Sequence, residues 1–204
     1  MLKNIDYFRY GKEEIEYLKK KDKLLGESID KIGFIQRKII KDPFEALISS
    51  IVSQQVSKKA AETVWLRLCN LISDITPENI VNTDNESIKK CGMSNRKVDY
   101  IKGIADAALS KTVDFNNLHL LSNEEIIKKL SSLRGVGVWT AQMILIFSLN
   151  RLDVISYDDL GIRRGIMNLY GLEEISKKLF NEYKEIYSPY ASVASLYLWE
   201  LSLK

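Results

Sequence analysis

A glycine pair inside an apolar stretch is the first feature of this sequence that could do chemistry. The turn LRGVG at 133–137 lies between predicted helices at 123–132 and 138–149. Such a turn can expose unpaired backbone N–H groups beside the amino terminus of the second helix, where the helix dipole favours an anion. The absence of side chains on Gly135 and Gly137 would let a phosphate backbone approach closely. Glycine spacing alone is also compatible with a simple packing corner that has left-handed glycines.

A pair of carboxylates follows the hairpin. Asp158 and Asp159 stand directly before Leu160, and the interval from Gly137 to Asp159 is 22 residues. That interval is long enough for one helix and a returning loop. Asp159 is placed to open the next helix, whose dipole would favour its negative charge. On residue types alone, either aspartate is a helix cap.

Helices must position both features, because little in the chain favours a sheet. Only three prolines and ten glycines interrupt it, and no stretch alternates apolar and polar residues for long enough to form a convincing sheet. Thr76-Pro77 is typical of a helix start, and the segment 122–125 (SNEE) is typical of a capping box. We expect an all-α fold of roughly nine to eleven helices of ordinary length.

Composition limits the class of protein. The 204 residues are 46% hydrophobic, enough for one core or two small lobes, and the formal charge of +3 permits a polyanionic partner without requiring one. The apolar run 139–149 is too short to cross a bilayer. We therefore expect no membrane association and a cytoplasmic location, with the nucleoid if the source is bacterial. Cys69, Cys91 and His119 are too few to build a zinc or iron–sulfur site.

Three segments carry a family resemblance. The stretch LRGVGVWTAQMILIFSLNRLDVISYDDLGIRRG, residues 133–165, resembles the helix–hairpin–helix DNA glycosylases, and most closely the DNA-3-methyladenine glycosylase II branch. The similarity extends to DPFEALISSIVSQQVSKKAAETVWLRL at 42–68 and SPYASVASLYLWELSL at 188–203. We therefore predict a glycosylase domain over 42–204, preceded by lead-in helices over 1–41. The resemblance implies two helical lobes with a cleft between them, acting as a monomer on double-stranded DNA that contains damaged bases.

The resemblance also implies that Asp159 is the catalytic carboxylate. Base excision passes through an oxocarbenium-like sugar, and a carboxylate beside it stabilises the positive charge or orients the attacking water. Asp158 would keep a capping or supporting role. Bifunctional members of the superfamily carry a nucleophilic lysine where this chain has Trp139. Water is then the nucleophile, the enzyme has no lyase activity, and no cofactor is required.

A flipped base needs a pocket to hold it. An alkylated purine is cationic, so indole faces would attract it by stacking and cation–π interactions. The alternative for each aromatic residue is ordinary core packing. The positions where the resemblance or the sequence neighbourhood of Asp159 places pocket residues are Trp139, Trp199, Tyr157 and Met143.

Other residues are predicted to grip the DNA. The segment 52–57 aligns with the loop that fills the gap left by the flipped base, and Gln55 is the candidate for this role, although a polar helix end is the alternative. For the lysines, the alternative is a solvated surface. The predicted DNA contacts are Gln54, Gln55, Ser57, Lys58, Arg134, Gly135, Val136, Gly137 and Thr140. The resemblance further suggests that the backbone carbonyls of Ser131, Leu133 and Gly135 hold a structural Na+ or K+.

The sequence thus predicts a monofunctional DNA glycosylase that flips out and hydrolytically excises alkylated purines of the 3-methyladenine type in base excision repair. Two alternatives stay open: a non-catalytic helix–hairpin–helix DNA-binding module and a glycosylase for a deaminated base. Asp159 separates the first alternative from the others, because a binding module has no use for its carboxylate.

Overall fold

The computed structural model describes residues 6–203, and α-helices dominate this part of the chain. The all-α expectation is confirmed, although the helices outnumber the predicted nine to eleven. In chain order they are α1 (Lys12–Lys21), α2 (Lys23–Ile32), α3 (Pro43–Ser53), α4 (Lys58–Ile72), α5 (Pro77–Asn82), α6 (Asn85–Lys90), α7 (Asn95–Leu109), α8 (Asn123–Ser131), α9 (Val138–Phe147), α10 (Leu160–Tyr170), α11 (Lys177–Tyr187) and α12 (Ala191–Leu201).

Short elements complete the described chain. A 3-10 helix covers Phe115–Leu120, and two antiparallel strands, β1 (Asp6–Tyr7) and β2 (Lys38–Ile39), form a small ribbon. None of the helices within residues 6–203 has the length and apolar character needed to span a bilayer.

The helix starts that the sequence indicated are present. Thr76 caps α5 by accepting a hydrogen bond from the Asn79 N–H, and Pro77 occupies the first turn. Ser122 and Glu125 form the predicted capping box at the start of α8. Caps are local arrangements of a few neighbouring residues, which is why the sequence reveals them.

The chain divides into two compact units. The first unit combines Met1–Ile39 with Leu145–Lys204, and the second unit is Ile40–Ile144. The amino-terminal segment therefore belongs to the same compact unit as the carboxy-terminal helices. The predicted division between residues 41 and 42 was based instead on the extent of the family resemblance. In the first unit, the Tyr170 hydroxyl donates to Asp22 Oδ2 at 2.5 Å and lies 2.8 Å from the Tyr187 hydroxyl. This bond ties the start of α2 to the end of α10.

A close approach of two helices positions the start of α10. A Cβ atom on Gly165 would lie only 2.0 Å from the backbone oxygen of Leu198, so any side chain at 165 would force α10 away from α12. With glycine at 165 the two helices pack backbone to backbone. The first turn of α10 consequently lies against the last turns of α12.

The loop before α10 is fixed to the start of α12. The Ser192 hydroxyl donates to the Val154 oxygen at 3.0 Å and accepts from the Val154 N–H at 2.9 Å. Asp153 accepts hydrogen bonds from the Ser188 hydroxyl and the Ala191 N–H. These bonds hold two adjacent residues of the loop against the start of α12, and this anchor restricts the position of the aspartates that follow.

The second unit packs an apolar core around α3 and α7. Leu47, Ile48 and Ile51 of α3 and Ile101 of α7 are fully buried. Lys97 of α7 adds a polar contact between the two helices. Its ammonium donates at 2.7 Å to the backbone oxygens of Val52 and Gln54 at the carboxyl end of α3. Burial lowers the pKa of Lys97. The lysine therefore serves the fold and holds the turn after α3 in place.

Candidate functional site

Asp159 occupies the start of α10 in the first unit. Its side chain is buried, with 8% of the residue exposed. The Oδ1 atom accepts a hydrogen bond from the Ile162 N–H at 3.0 Å and another from the Trp199 indole N–H at 3.1 Å. The prediction that Asp159 opens a helix is confirmed. Two donors on one oxygen fix the direction of the carboxylate, and the helix dipole favours its negative charge.

Trp199 lies between Asp159 and an aromatic neighbour that the sequence did not single out. Its ring centroid is 5.5 Å from that of Phe147, with the ring planes tilted by 32°. A Cβ on Gly161 would stand 2.9 Å from Trp199 Cδ1, so glycine at 161 leaves room for the indole. The pocket role of Trp199 stays a prediction. The hydrogen bond to Asp159 gives this residue a positioning role that no motif signalled.

The neighbours of Asp159 differ from the expectations in two respects. Asp158 is exposed and does not cap α10, so the predicted capping role of Asp158 is wrong, and Asp159 performs it. Tyr157 packs edge-on against Phe180 at 5.2 Å, and the Arg163 guanidinium lies 5.1 Å from the Tyr157 ring centroid. This packing favours the core alternative for Tyr157.

The two hairpin glycines, in the second unit, differ in whether the structure requires glycine at their positions. Gly135 has a φ of +88°, and a Cβ there would lie 2.2 Å from the Tyr100 ring, so glycine is required by both backbone and packing. At Gly137, by contrast, φ is not in the left-handed region and a Cβ would meet no atom within 4 Å. Nothing inside the described chain therefore requires glycine at 137.

The N–H groups of the hairpin differ in whether they have a hydrogen-bond acceptor. The Val136 N–H donates to the Leu133 oxygen at 3.1 Å and closes the turn, and Val136 is buried. This N–H is therefore already bonded within the hairpin, and the predicted DNA contact of Val136 stays a prediction. Within residues 6–203, the N–H groups of Gly135 and Gly137 have no hydrogen-bond acceptor.

The turn after α3 is bonded to the hairpin. The Gln54 side-chain amide donates to the Gly135 oxygen at 3.0 Å, so Gln54 has an internal partner. Gln55 is exposed and has a φ of +55°, which is uncommon for a residue with a side chain. The structure therefore separates the two glutamines: Gln54 joins the turn to the hairpin, and Gln55 is presented at its tip.

Trp139 belongs to the same surface of the second unit. It is 40% exposed. Together with both glutamines it lines a pocket of about 340 Å³, whose other lining residues are Ser50 and Ser53. Three of the predicted site residues are thus brought together. The two serines were missed, because polar residues at helical spacing on α3 gave no signal beyond that of a solvated face.

The other predicted residues of the second unit differ in exposure. Arg134 and Lys58 are exposed, and Ser57 caps α4 by accepting from the Ala60 N–H. Thr140 is 4% exposed and Met143 is 9% exposed. Burial does not favour the predicted DNA contact of the Thr140 side chain, and it places Met143 in the core of this part of α9.

The carbonyls suggested for a monovalent cation are partly engaged. The Leu133 oxygen accepts from the Val136 N–H, and the Gly135 oxygen accepts from the Gln54 amide. A carbonyl oxygen has a second lone pair. The Leu133 and Gly135 oxygens can therefore bind Na+ or K+ with that lone pair while each also accepts its hydrogen bond. No group of three or more His, Cys, Asp or Glu residues that could hold a metal occurs in the described part of the chain.

A predominantly helical chain with a glycine hairpin and a buried aspartate opening a later helix is the arrangement expected of a helix–hairpin–helix protein of the DNA-repair class. Residues 48–189 match the model of the HhH-GPD superfamily base excision DNA repair protein, and the chain belongs to this family.

Sequence relatives and solved structures agree with this assignment. The chain is 41% identical over 167 residues to DNA-3-methyladenine glycosylase 1 of Schizosaccharomyces pombe, covering 79% of this chain and 73% of that protein. It is 32% identical over 200 residues to DNA-3-methyladenine glycosylase of Saccharomyces cerevisiae, covering 80% and 68%. The crystal structure of DNA-3-methyladenine glycosidase from Bacillus halodurans superposes with a TM-score of 0.86 at 36% identity, covering 97% of this chain and 92% of that one. The S. pombe 3-methyladenine DNA glycosylase Mag1 in complex with abasic DNA gives a TM-score of 0.82 at 36% identity, covering 93% and 96%.

Proposed function

We propose that this protein is a monofunctional DNA glycosylase that removes alkylated purines of the 3-methyladenine type during base excision repair. The observation that carries the proposal is the buried carboxylate of Asp159, held by two N–H donors at the start of α10 in a chain of the HhH-GPD family. The names of its relatives, which are 3-methyladenine glycosylases, support the choice of substrate class.

The chemistry assigned to Asp159 follows from its surroundings. Breaking the bond between base and deoxyribose leaves positive charge on the sugar, and a fixed carboxylate stabilises that charge in the transition state. The helix dipole and the Trp199 N–H hold Asp159 in one orientation, so little reorganisation is needed as the charge develops. The cationic purine leaves as a neutral base with the electron pair of the broken bond. Water then adds to the sugar carbon and releases a proton to solvent, leaving an abasic site with the strand intact.

Recognition of the base is assigned to the exposed indole of Trp139. Its surface pocket also contains Gln55, so a tryptophan face and a hydrogen-bonding side chain lie together. A cationic purine would stack on the indole. The Gln55 amide would hydrogen-bond the partner base left in the duplex, as expected for a residue that fills the gap of a flipped nucleotide.

The hairpin is assigned to the DNA backbone. The N–H groups of Gly135 and Gly137 would bind phosphate oxygens, with Arg134, Ser57 and Lys58 as further contacts. Such contacts position DNA of any sequence. A structural Na+ or K+ at the hairpin carbonyls remains a separate proposal, tested by comparing DNA affinity in sodium, potassium and tetramethylammonium chloride at equal ionic strength. With DNA as its substrate, we further propose a cytoplasmic location, associated with the nucleoid if the source is bacterial.

The test of the function is base release. Purified protein is incubated with alkylated duplex DNA, and free 3-methyladenine and 7-methylguanine are separated by chromatography. We expect release of alkylated bases and no covalent adduct after borohydride treatment, because Trp139 stands where a lyase would need its lysine. A parallel incubation uses duplex DNA that contains hypoxanthine, and release from that substrate alone would favour the deaminated-base alternative. No release by folded protein that still binds DNA would favour the binding module.

A further inference from the structure

Arg96 projects beside the hairpin from the first turn of α7. Its Nε–H donates to the Tyr100 hydroxyl, and its guanidinium carbon lies 5.6 Å from the Tyr100 ring centroid. The residue is exposed. One bond at Nε and one aromatic contact restrict the side chain, while neither terminal nitrogen has a hydrogen-bond partner within residues 6–203, so both can donate to another group.

Tyr100 connects this arginine to the hairpin. The tyrosine is 9% exposed, and its ring packs directly on the Gly135 backbone, as shown by the 2.2 Å that would separate a Cβ on Gly135 from Tyr100 Cδ2. Arg96 and Gly135 therefore contact the same ring. They also line the same surface pocket of about 280 Å³, to which Gln55 contributes.

The charge of Arg96 is not neutralised by the protein. Among residues 6–203 no carboxylate forms an ion pair with it. The adjacent cation, Lys97, differs because its ammonium is turned inward to the backbone oxygens of Val52 and Gln54. Of two consecutive basic residues, one serves the fold, and the other presents its charge to the surface next to the hairpin N–H groups.

From this geometry we infer that Arg96 binds a DNA phosphate beside the one bound by the hairpin, with Tyr100 as its positioning residue. The guanidinium fork matches two phosphate oxygens, and a ring-supported arginine loses little side-chain freedom on binding. The inference rests on the proposed function only in requiring that the hairpin face DNA. It adds a contact to the second unit outside the hairpin and the turn after α3.

The test is the salt dependence of binding to undamaged duplex DNA, measured by fluorescence anisotropy. Each phosphate contact adds about 0.9 to the slope of log K against log salt concentration. Arg96→Gln should reduce the slope by about 0.9 and weaken binding roughly 3- to 10-fold at low salt. The matched control is Lys90→Gln, which removes one positive charge from the exposed end of α6 and should leave the slope unchanged. Arg96→Lys should keep most of the slope, because it keeps the charge.

Tyr100→Phe separates positioning from folding. The phenylalanine ring still packs on Gly135, so the melting temperature should stay near that of the wild type, while DNA affinity falls part of the way towards that of Arg96→Gln. Equal slopes for Arg96→Gln and Lys90→Gln would overturn the inference. Base release by the wild type is measured separately, so a glycosylase with an unchanged Arg96→Gln slope would refute this contact alone. Absence of release together with a reduced slope would refute the proposed catalysis and leave the phosphate contact standing.

Discussion

The two hairpin glycines provide a sharp prediction, because the same substitution should affect folding at one position and DNA binding at the other. Gly135→Ala places a residue with a side chain at a φ of +88° and its Cβ 2.2 Å from the Tyr100 ring. The left-handed backbone costs about 1–2 kcal/mol. Displacing the packed tyrosine costs about 1–3 kcal/mol more. The free energy of unfolding should therefore fall by about 2–5 kcal/mol.

Gly137→Ala is the matched control for stability. Its Cβ would meet nothing within 4 Å and its φ is not in the left-handed region, so the free energy of unfolding should change by about 0.5 kcal/mol or less. A methyl group there would nevertheless occupy the space that a phosphate needs, so affinity for DNA of any sequence should fall. Denaturant unfolding and anisotropy with undamaged duplexes measure the two effects. A Gly137→Ala protein that binds like the wild type, or a Gly135→Ala protein of unchanged stability, would refute the reasoning.

Three further predictions concern other residues. Trp199→Phe keeps an aromatic ring near Phe147 but removes the donor to Asp159. Single-turnover excision should slow by about 10- to 100-fold, which corresponds to the loss of a hydrogen bond to a charged group, while DNA affinity stays unchanged. An unchanged excision rate would exclude the positioning role of Trp199. Lys97→Met should lower the free energy of unfolding by about 1–3 kcal/mol, because two part-buried carbonyls at the end of α3 lose their donor. Lys90→Met, at an exposed position, should have little effect. Burial first, and then Tyr187 and Asp22, raise the pKa of Tyr170 above its ordinary 10.0. The contribution of Tyr170 to stability is therefore present below pH 10 and is lost as pH rises above it, by up to about 1.4 kcal/mol per pH unit. Tyr170→Phe should make the loss of unfolding free energy at alkaline pH shallower, and equal slopes of that free energy against pH for the two proteins would contradict this.

Local features of the fold could be predicted from the sequence. Thr76-Pro77 and the capping box at Ser122 begin helices as expected, and Asp159 opens α10, because a cap depends on residues within one turn of each other. The choice between Asp158 and Asp159 was harder. Adjacent aspartates have the same chemistry, and only the direction of the chain leaving the Asp153–Val154 anchor decides which of them faces α10.

Features that depend on distant residues could not be predicted. The hydrogen bond between Tyr170 and Asp22 joins positions 148 apart in sequence, so no periodicity announces that the amino-terminal helices pack with the carboxy-terminal ones. Glycine at 165 is likewise explained only by a distant residue, because a Cβ there would clash with the backbone oxygen of Leu198. The hydrogen bond from Trp199 to Asp159 depends on this helix contact, and sequence patterns alone give tryptophan only its aromatic role.

The most direct test of the central claim is single-turnover release of 3-methyladenine by Asp159→Asn. Asparagine has nearly the same shape, and its amide oxygen can still accept from the Ile162 N–H, so the α10 cap and the melting temperature should be nearly preserved. Loss of the negative charge should slow release by at least about 100-fold, the scale of a removed transition-state electrostatic contact, while affinity for undamaged DNA is retained. Release within a few-fold of the wild-type rate would show that the Asp159 carboxylate does not carry the chemistry.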